Sequence, residues 1–175
     1  MEMLGVKELV IRPAVGEESA PEGLAPAELV QALAAQKARE VEARSDPGDV
    51  IIAADTIVWH GGRVYGKPHD ASEAAEMLRA LSGDTHEVYT GVCVIRGGRA
   101  LSRAVKSEVR FRPLSESEIA ANIKTGEPMD KAGAYGAQGK AALFVEGITG
   151  DFFNVMGLPL CTLGRMLHEQ GVELL

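Results

Sequence analysis

Cysteine is scarce in this sequence: Cys93 and Cys161 are the only two among 175 residues. Neither belongs to a Cys-x-x-Cys pair, and both sit in apolar runs, so they read as buried free thiols of a reducing compartment rather than as a staple. His60, His69, His86 and His168 form no ligand-spaced group, which argues against structural zinc. No apolar run approaches the ~20 residues of a membrane span, and the N-terminus has no signal peptide. A soluble cytoplasmic chain without a membrane partner is expected. Positive charge is also in short supply, with 18 Lys and Arg against 25 Asp and Glu and a net charge of −7. Without a basic face, a nucleic acid polymer is not an expected partner. Repeats and low-complexity tracts are absent, as are the Walker A and Gly-x-Gly-x-x-Gly phosphate cradles.

What is present is an alternation of helical and strand-like patterns in a length that suits one compact domain, residues 1–175. Leu9–Ile11 is a short strand candidate, and 13–25 a surface loop. Pro26 opens a helix to about Arg44, with Val30, Leu33, Ala34, Ala38 and Val41 on one face. Val50–Trp59 reads as a buried strand and turns at Gly61-Gly62 into Arg63-Val64-Tyr65. Asp70-Ala71-Ser72-Glu73 and Ser115-Glu116-Ser117-Glu118 are capping boxes that start two helices. Val88–Ile95 and Leu101–Phe111 form a hairpin across Gly97-Gly98, Ala141–Ile148 is a strand, and a last helix begins at Leu158. The class is α/β. Because hairpins interrupt the alternation, the expected central sheet is mixed, flanked by helices.

Several polar residues conflict with this pattern. Lys37 lies on the apolar stripe of its helix, so it either snorkels at an edge or aims at something anionic. Asp55 interrupts a buried strand, where an unpaired carboxylate costs several kcal/mol, roughly, and therefore needs a cation, a metal or donors. It reads either as a loop cap or as a general base or metal ligand at a strand end. Lys67, between Gly66 and Pro68, is either solvated or directed at a phosphate. The loop from Asp130 to Gly139 packs glycines around Lys131, Tyr135 and Gln138; it is an ordinary surface loop or a recognition loop that approaches a ligand closely. Together with the acidic Glu17-Glu18, these groups make a metal-plus-polyphosphate kit suited to Mg²⁺ or Mn²⁺.

Taken in order, Pro13 to Glu18, Lys37-Ala38, Ala54-Asp55-Thr56, Gly66-Lys67-Pro68, Thr85-His86-Glu87-Val88, Thr90-Gly91-Val92, Asp130 to Gly139, and Gly150 to Pro159 resemble the Maf family of nucleoside triphosphate pyrophosphatases. The resemblance runs over almost the whole chain. It implies a two-lobed Maf/ITPase-like fold, usually a homodimer, with a nucleoside triphosphate in the cleft and a divalent metal (Mg or Mn) as cofactor. The product pair is the monophosphate and pyrophosphate. By the resemblance, Asp55 is the proton acceptor and, with Glu18, holds the metal; Lys37 and Lys67 face the phosphates; Thr56 and Gln138 are tied to substrate choice. Ala54-Asp55-Thr56 and Tyr135-Gly136-Ala137-Gln138-Gly139 are similar to the dTTP/UTP branch rather than the branch acting on 7-methyl-GTP. One departure stands out. The family opens with a strand and a Ser-x-Ser-Pro-Arg-Arg motif that this sequence lacks, so Met1–Leu4 matches only the last turn of a helix and the chain reads as N-terminally truncated. That leaves a pyrophosphatase as the leading expectation and a catalytically impaired nucleotide-binding or interaction protein as the alternative.

Overall fold

A computed structural model describes residues 6, 8–16, 19–21 and 23–174. The expectations for Met1–Leu4, Glu17 and Glu18 lie outside the described residues. Helix α1, Pro26–Glu42, is entered through Ala25, with Glu28 accepting from the Ala25 N–H. Its stripe of Val30, Leu33, Ala34 and Ala38 is buried. Strands β1 (Val50–His60) and β2 (Arg63–Tyr65) follow as a hairpin. Helix α2, Ala71–Leu81, starts where Asp70 accepts from the Glu73 N–H, while Glu73 reaches back to the N–H of His69. Ala74, Met77, Leu78 and Leu81 are its buried face. Strands β3 (Thr85–Arg96) and β4 (Arg99–Phe111) form the long hairpin, and α3, Glu116–Ile123, begins at the Ser115 capping box.

The remaining elements depart more from expectation. Residues Lys140–Phe144 are a 3₁₀ turn, and only Val145–Thr149 is strand β5. Gly139, at φ 119°, and the carboxylate of Glu127, which accepts the Lys140 N–H, hold the backbone out of the extended form there. A short helix α4, Phe152–Val155, is capped by Asp151, and α5, Leu160–Glu169, begins two residues past Leu158, with Pro159 as its N-cap. Leu9–Ile11 belongs to no strand; Val10 and Ile11 are exposed. Among the described residues, no helix is long and apolar enough to cross a membrane.

The sheet order is β2-β1-β3-β4-β5. The α/β architecture stands, but all four pairings among the described residues are antiparallel, rather than mixed. The topology explains why. The crossover through α2 does join two parallel strands, β2 and β3, but β1 lies between them and separates the pair.

Strand alternation then sorts the cores. Ile51, Ala53, Cys93 and Ile95 face Ala34 and Ala38 of α1. On the other face, Ile52, Ala54, Val92 and Val94 pack on Leu163, Met166 and Leu167 of α5. Further along the same strands, Val58, Val88, Val109 and Phe111 pack with α2, α3 and the 3₁₀ segment. The polar middle of β1, Asp55 and Thr56, belongs to none of these clusters. A cleft runs through that gap.

Candidate active site

One glycine sets the geometry around Asp55. In the β1–β3 register Asp55 lies opposite Gly91, and α1 crosses directly over that glycine. A Cβ there would stand 2.1 Å from the Val30 carbonyl oxygen, closer than any side chain tolerates. Lys37 follows Val30 by seven residues, about two helical turns, so it projects from the same face towards the sheet. Its Nζ donates to Asp55 Oδ1 at 2.6 Å, with the carboxylate side chain 10% exposed. The lone strand carboxylate thus meets a cation, and the lysine on the apolar stripe is aimed at an anion rather than snorkelling into solvent.

Thr56 points to the opposite face. Its hydroxyl lies 2.9 Å from that of Thr90, its cross-strand neighbour, and Thr90 donates to the backbone carbonyl of Asn154 at 2.9 Å. Asn154 is fully buried and its amide donates to the Val88 carbonyl and to Ser107 Oγ. Gly157 sits over this group; a Cβ on it would come 3.4 Å from Thr56 Oγ1.

The third contribution is the glycine-rich loop. The Gly133 N–H donates to the Gly66 carbonyl, which ties the loop to the turn carrying Lys67. Gly133 at φ 67° and Ala134 at φ 60° are both left-handed, and a side chain at 133 would strike Val58. Lys131 Nζ bonds Asp130 at 2.8 Å, and that ion pair, with a weaker pull from Lys67, holds the Asp130 carboxyl below its ordinary range. The loop is anchored from below: the Tyr135 hydroxyl lies 2.7 Å from His86 Nε2, and both rings pack edge-on against Phe111.

Burial pushes His86 down to about 4, with His60 adding to the effect and Asp84 opposing it. Burial pushes the Tyr135 phenol up. His86 Nδ1 has no partner among the described residues, so a second N–H on a charged ring would be left unsatisfied. The folded state therefore resists a proton that the unfolded chain accepts at its ordinary pKa. Stability is full above about 6.5 and falls as pH drops towards about 4, by about 3 kcal/mol from this group. Urea unfolding between pH 7 and pH 4.5 should show this loss in the native chain and a flatter profile in His86→Gln. Parallel profiles would remove His86 from the account.

These pieces line one cleft of about 760 Å³, bounded by Leu33, Lys37, Asp55, Thr56, Lys67, Asp130, Lys131, Gln138 and the stretch Val155-Met156-Gly157, among others. Its size falls within the range for small-molecule sites, roughly 300–1,000 Å³. Lys37, Asp55, Thr56, Lys67, Lys131, Tyr135 and Gln138, all singled out from sequence, converge here; Glu18 lies outside the described residues. Sequence reasoning missed Thr90 and Asn154 behind Thr56, and the role of Gly91. A glycine in mid-strand was the signal available for the last of these.

Among the described residues no group of three or more His, Cys, Asp or Glu could hold a metal. The cleft instead offers Asp55, Asp130 and three lysines, which fits the mode in which one or two carboxylates share Mg²⁺ with substrate phosphates. Chemically, the arrangement suits a polyanion held by cations beside a carboxylate that can take a proton.

Comparison with known proteins agrees with this chemistry. The Maf-like protein family matches residues 1–170. The dTTP/UTP pyrophosphatase of Symbiobacterium thermophilum is 47% identical over 171 residues, covering 98% of this chain and 87% of that protein. That of Thermococcus gammatolerans is 51% identical over 150 residues, 86% of this chain and 80% of its own. The Bacillus pumilus enzyme of the same name is 49% identical over 156 residues, 89% and 82% respectively.

Proposed function

We propose, for a chain that belongs to the Maf family, that it hydrolyses dTTP and UTP to the monophosphate and pyrophosphate. The convergence of Asp55, Lys37 and Lys67 in one cleft with Thr56 and Gln138 carries this reading, and the name shared by its relatives supports it. Strand alternation divides the cleft. Lys37 and Asp55 stand on one face of β1, with Lys67 and Lys131 contributed by the loops; this side takes the triphosphate. Thr56, Gly157, Val155 and Met156 make the neutral wall and, with Gln138, take the base.

Asp55 accepts a proton from water as the water oxygen bonds to the α-phosphorus; the bond from that phosphorus to the bridging oxygen breaks, and pyrophosphate leaves with the electron pair. The lysines hold the phosphates and offset the charge that develops on the leaving group. Asp55, together with Glu18, would hold the divalent cation, whose chemistry when bound is to neutralise phosphate oxygens. The homodimer and the cytoplasmic setting belong to the same proposal. The exposed apolar side chains of Leu9, Val10, Ile11 and Val15 are surface that a second copy would cover.

Pyrophosphate release from dTTP, UTP, CTP and 7-methyl-GTP, with Mg²⁺ or Mn²⁺, tests the reading. Release from dTTP and UTP ahead of the other two is expected, and silence towards both would overturn it. In Gln138→Ala the ranking of the four should change by about tenfold for at least one pair, while the metal requirement stays as it was. An unchanged ranking would count against base recognition by Gln138.

A further inference from the structure

We infer that Thr90, a fully buried residue with no access to substrate, is a positioning residue that makes the Thr56 hydroxyl an acceptor towards the base and so selects an imide N–H. The inference rests on the proposed pyrimidine triphosphate activity. Each threonine hydroxyl has one hydrogen to donate and two lone pairs. The Thr90 hydrogen is committed to the Asn154 carbonyl, which accepts and cannot donate. The 2.9 Å contact between the two hydroxyls is then a hydrogen bond only if Thr56 donates to Thr90. With its hydrogen turned inward, Thr56 presents lone pairs to the cleft that it lines.

The chain of bonds does not end in mobile groups. The Asn154 carbonyl is held by the Gly157 N–H as well, and the Asn154 amide is bonded to the Val88 carbonyl and Ser107 Oγ, so the acceptor at the end of the relay is fixed. Gly157, without a side chain and at φ 91°, leaves the space beside Thr56 Oγ1 open.

An acceptor at this position pairs with N3–H of uracil or thymine and meets the bare lone pair of cytosine N3. Two acceptors facing each other exclude water without forming a bond, which penalises the wrong base. Without the Thr90 oxygen, the Thr56 hydroxyl is free to turn its hydrogen into the cleft and bond cytosine N3.

Thr90→Val keeps the shape and removes the oxygen; Thr90→Ala removes the same acceptor without added bulk, should valine impair folding; Thr90→Ser keeps the hydroxyl. The readout is the ratio of kcat/KM for UTP to that for CTP. The ratio should fall about tenfold in Thr90→Val and Thr90→Ala and stay close to the native value in Thr90→Ser. A packing role alone would lower both rates together and leave the ratio in place. Native turnover of UTP with an unchanged ratio in both oxygen-free variants overturns the inference alone; native failure to turn over UTP or dTTP overturns the activity and the inference with it.

Discussion

Asp55→Asn should lower kcat for UTP by about a thousandfold while leaving nucleotide binding intact. General-base groups contribute on the order of 10²–10⁴ in rate, and asparagine has the shape of aspartate without its basicity. Its amide oxygen still accepts from Lys37 Nζ, which now bonds Asp55 Oδ1 at 2.6 Å, so the wall of the cleft keeps its form. Removing a negative charge from a cleft lined by Lys37, Lys67 and Lys131 does not oppose a polyanion. Single-turnover rates and UTP titration of the same variant separate the two effects. A kcat within tenfold of native would remove Asp55 from the role of base, and loss of binding would show that the cation it shares with Glu18, or its pairing with Lys37, is what seats the nucleotide.

Gly91→Ala should be the most damaging small substitution in the protein. The added Cβ would meet three backbone atoms of α1, at 2.1, 2.3 and 2.7 Å, and backbone cannot swing aside as a flexible side chain does. Either α1 lifts from the sheet, exposing the cluster of Ala34, Ala38, Ile51, Cys93 and Ile95, or the strands bend. Overpacking of this kind costs typically 1–3 kcal/mol, and about 3 kcal/mol or more is expected where backbone meets backbone. Since α1 carries Lys37, binding should weaken along with stability. Gly164→Ala is the contrasting case: that glycine lies inside α5 with nothing near its would-be Cβ, so alanine should stabilise by up to about 1 kcal/mol. Chemical denaturation of the pair measures both. Equal stabilities would mean that α1 does not cross at Gly91.

Much of the fold was legible because its signals are local. The Asp70 and Ser115 caps, and the stripe of Ala74, Met77, Leu78 and Leu81, depend on residues three or four apart. Elements that depend on distant partners were harder to read. Ala141–Phe144 has strand composition, but the Glu127 carboxylate and the conformation of Gly139 draw it into a 3₁₀ turn. Leu9–Ile11 has strand composition too and pairs with no strand among the described residues. The two hairpins are written in their Gly-Gly turns, but the β1–β3 pairing, which sets β1 between β2 and β3, is encoded by no local pattern.

The same division holds in the site. Lys37 and Asp55 stood out because each broke a hydrophobic pattern, and their ion pair resolves both anomalies at once. Gln138 stood out as an amide in a glycine-rich loop, and the tie of Thr56 and Gln138 to substrate choice came through the ordered motifs. Thr90 and Asn154 broke no pattern, since a threonine in a strand is unremarked. Their relation to Thr56 exists only once the register sets Thr56 opposite Thr90.

The most direct test of the central claim is to identify the products of UTP with Mg²⁺ by phosphorus NMR. UMP and pyrophosphate in equal amounts are expected, formed by the native chain and about a thousandfold more slowly by Asp55→Asn. UDP and inorganic phosphate would place the attack at the terminal phosphorus and contradict the assignment of Asp55 and the lysines to the α-phosphate.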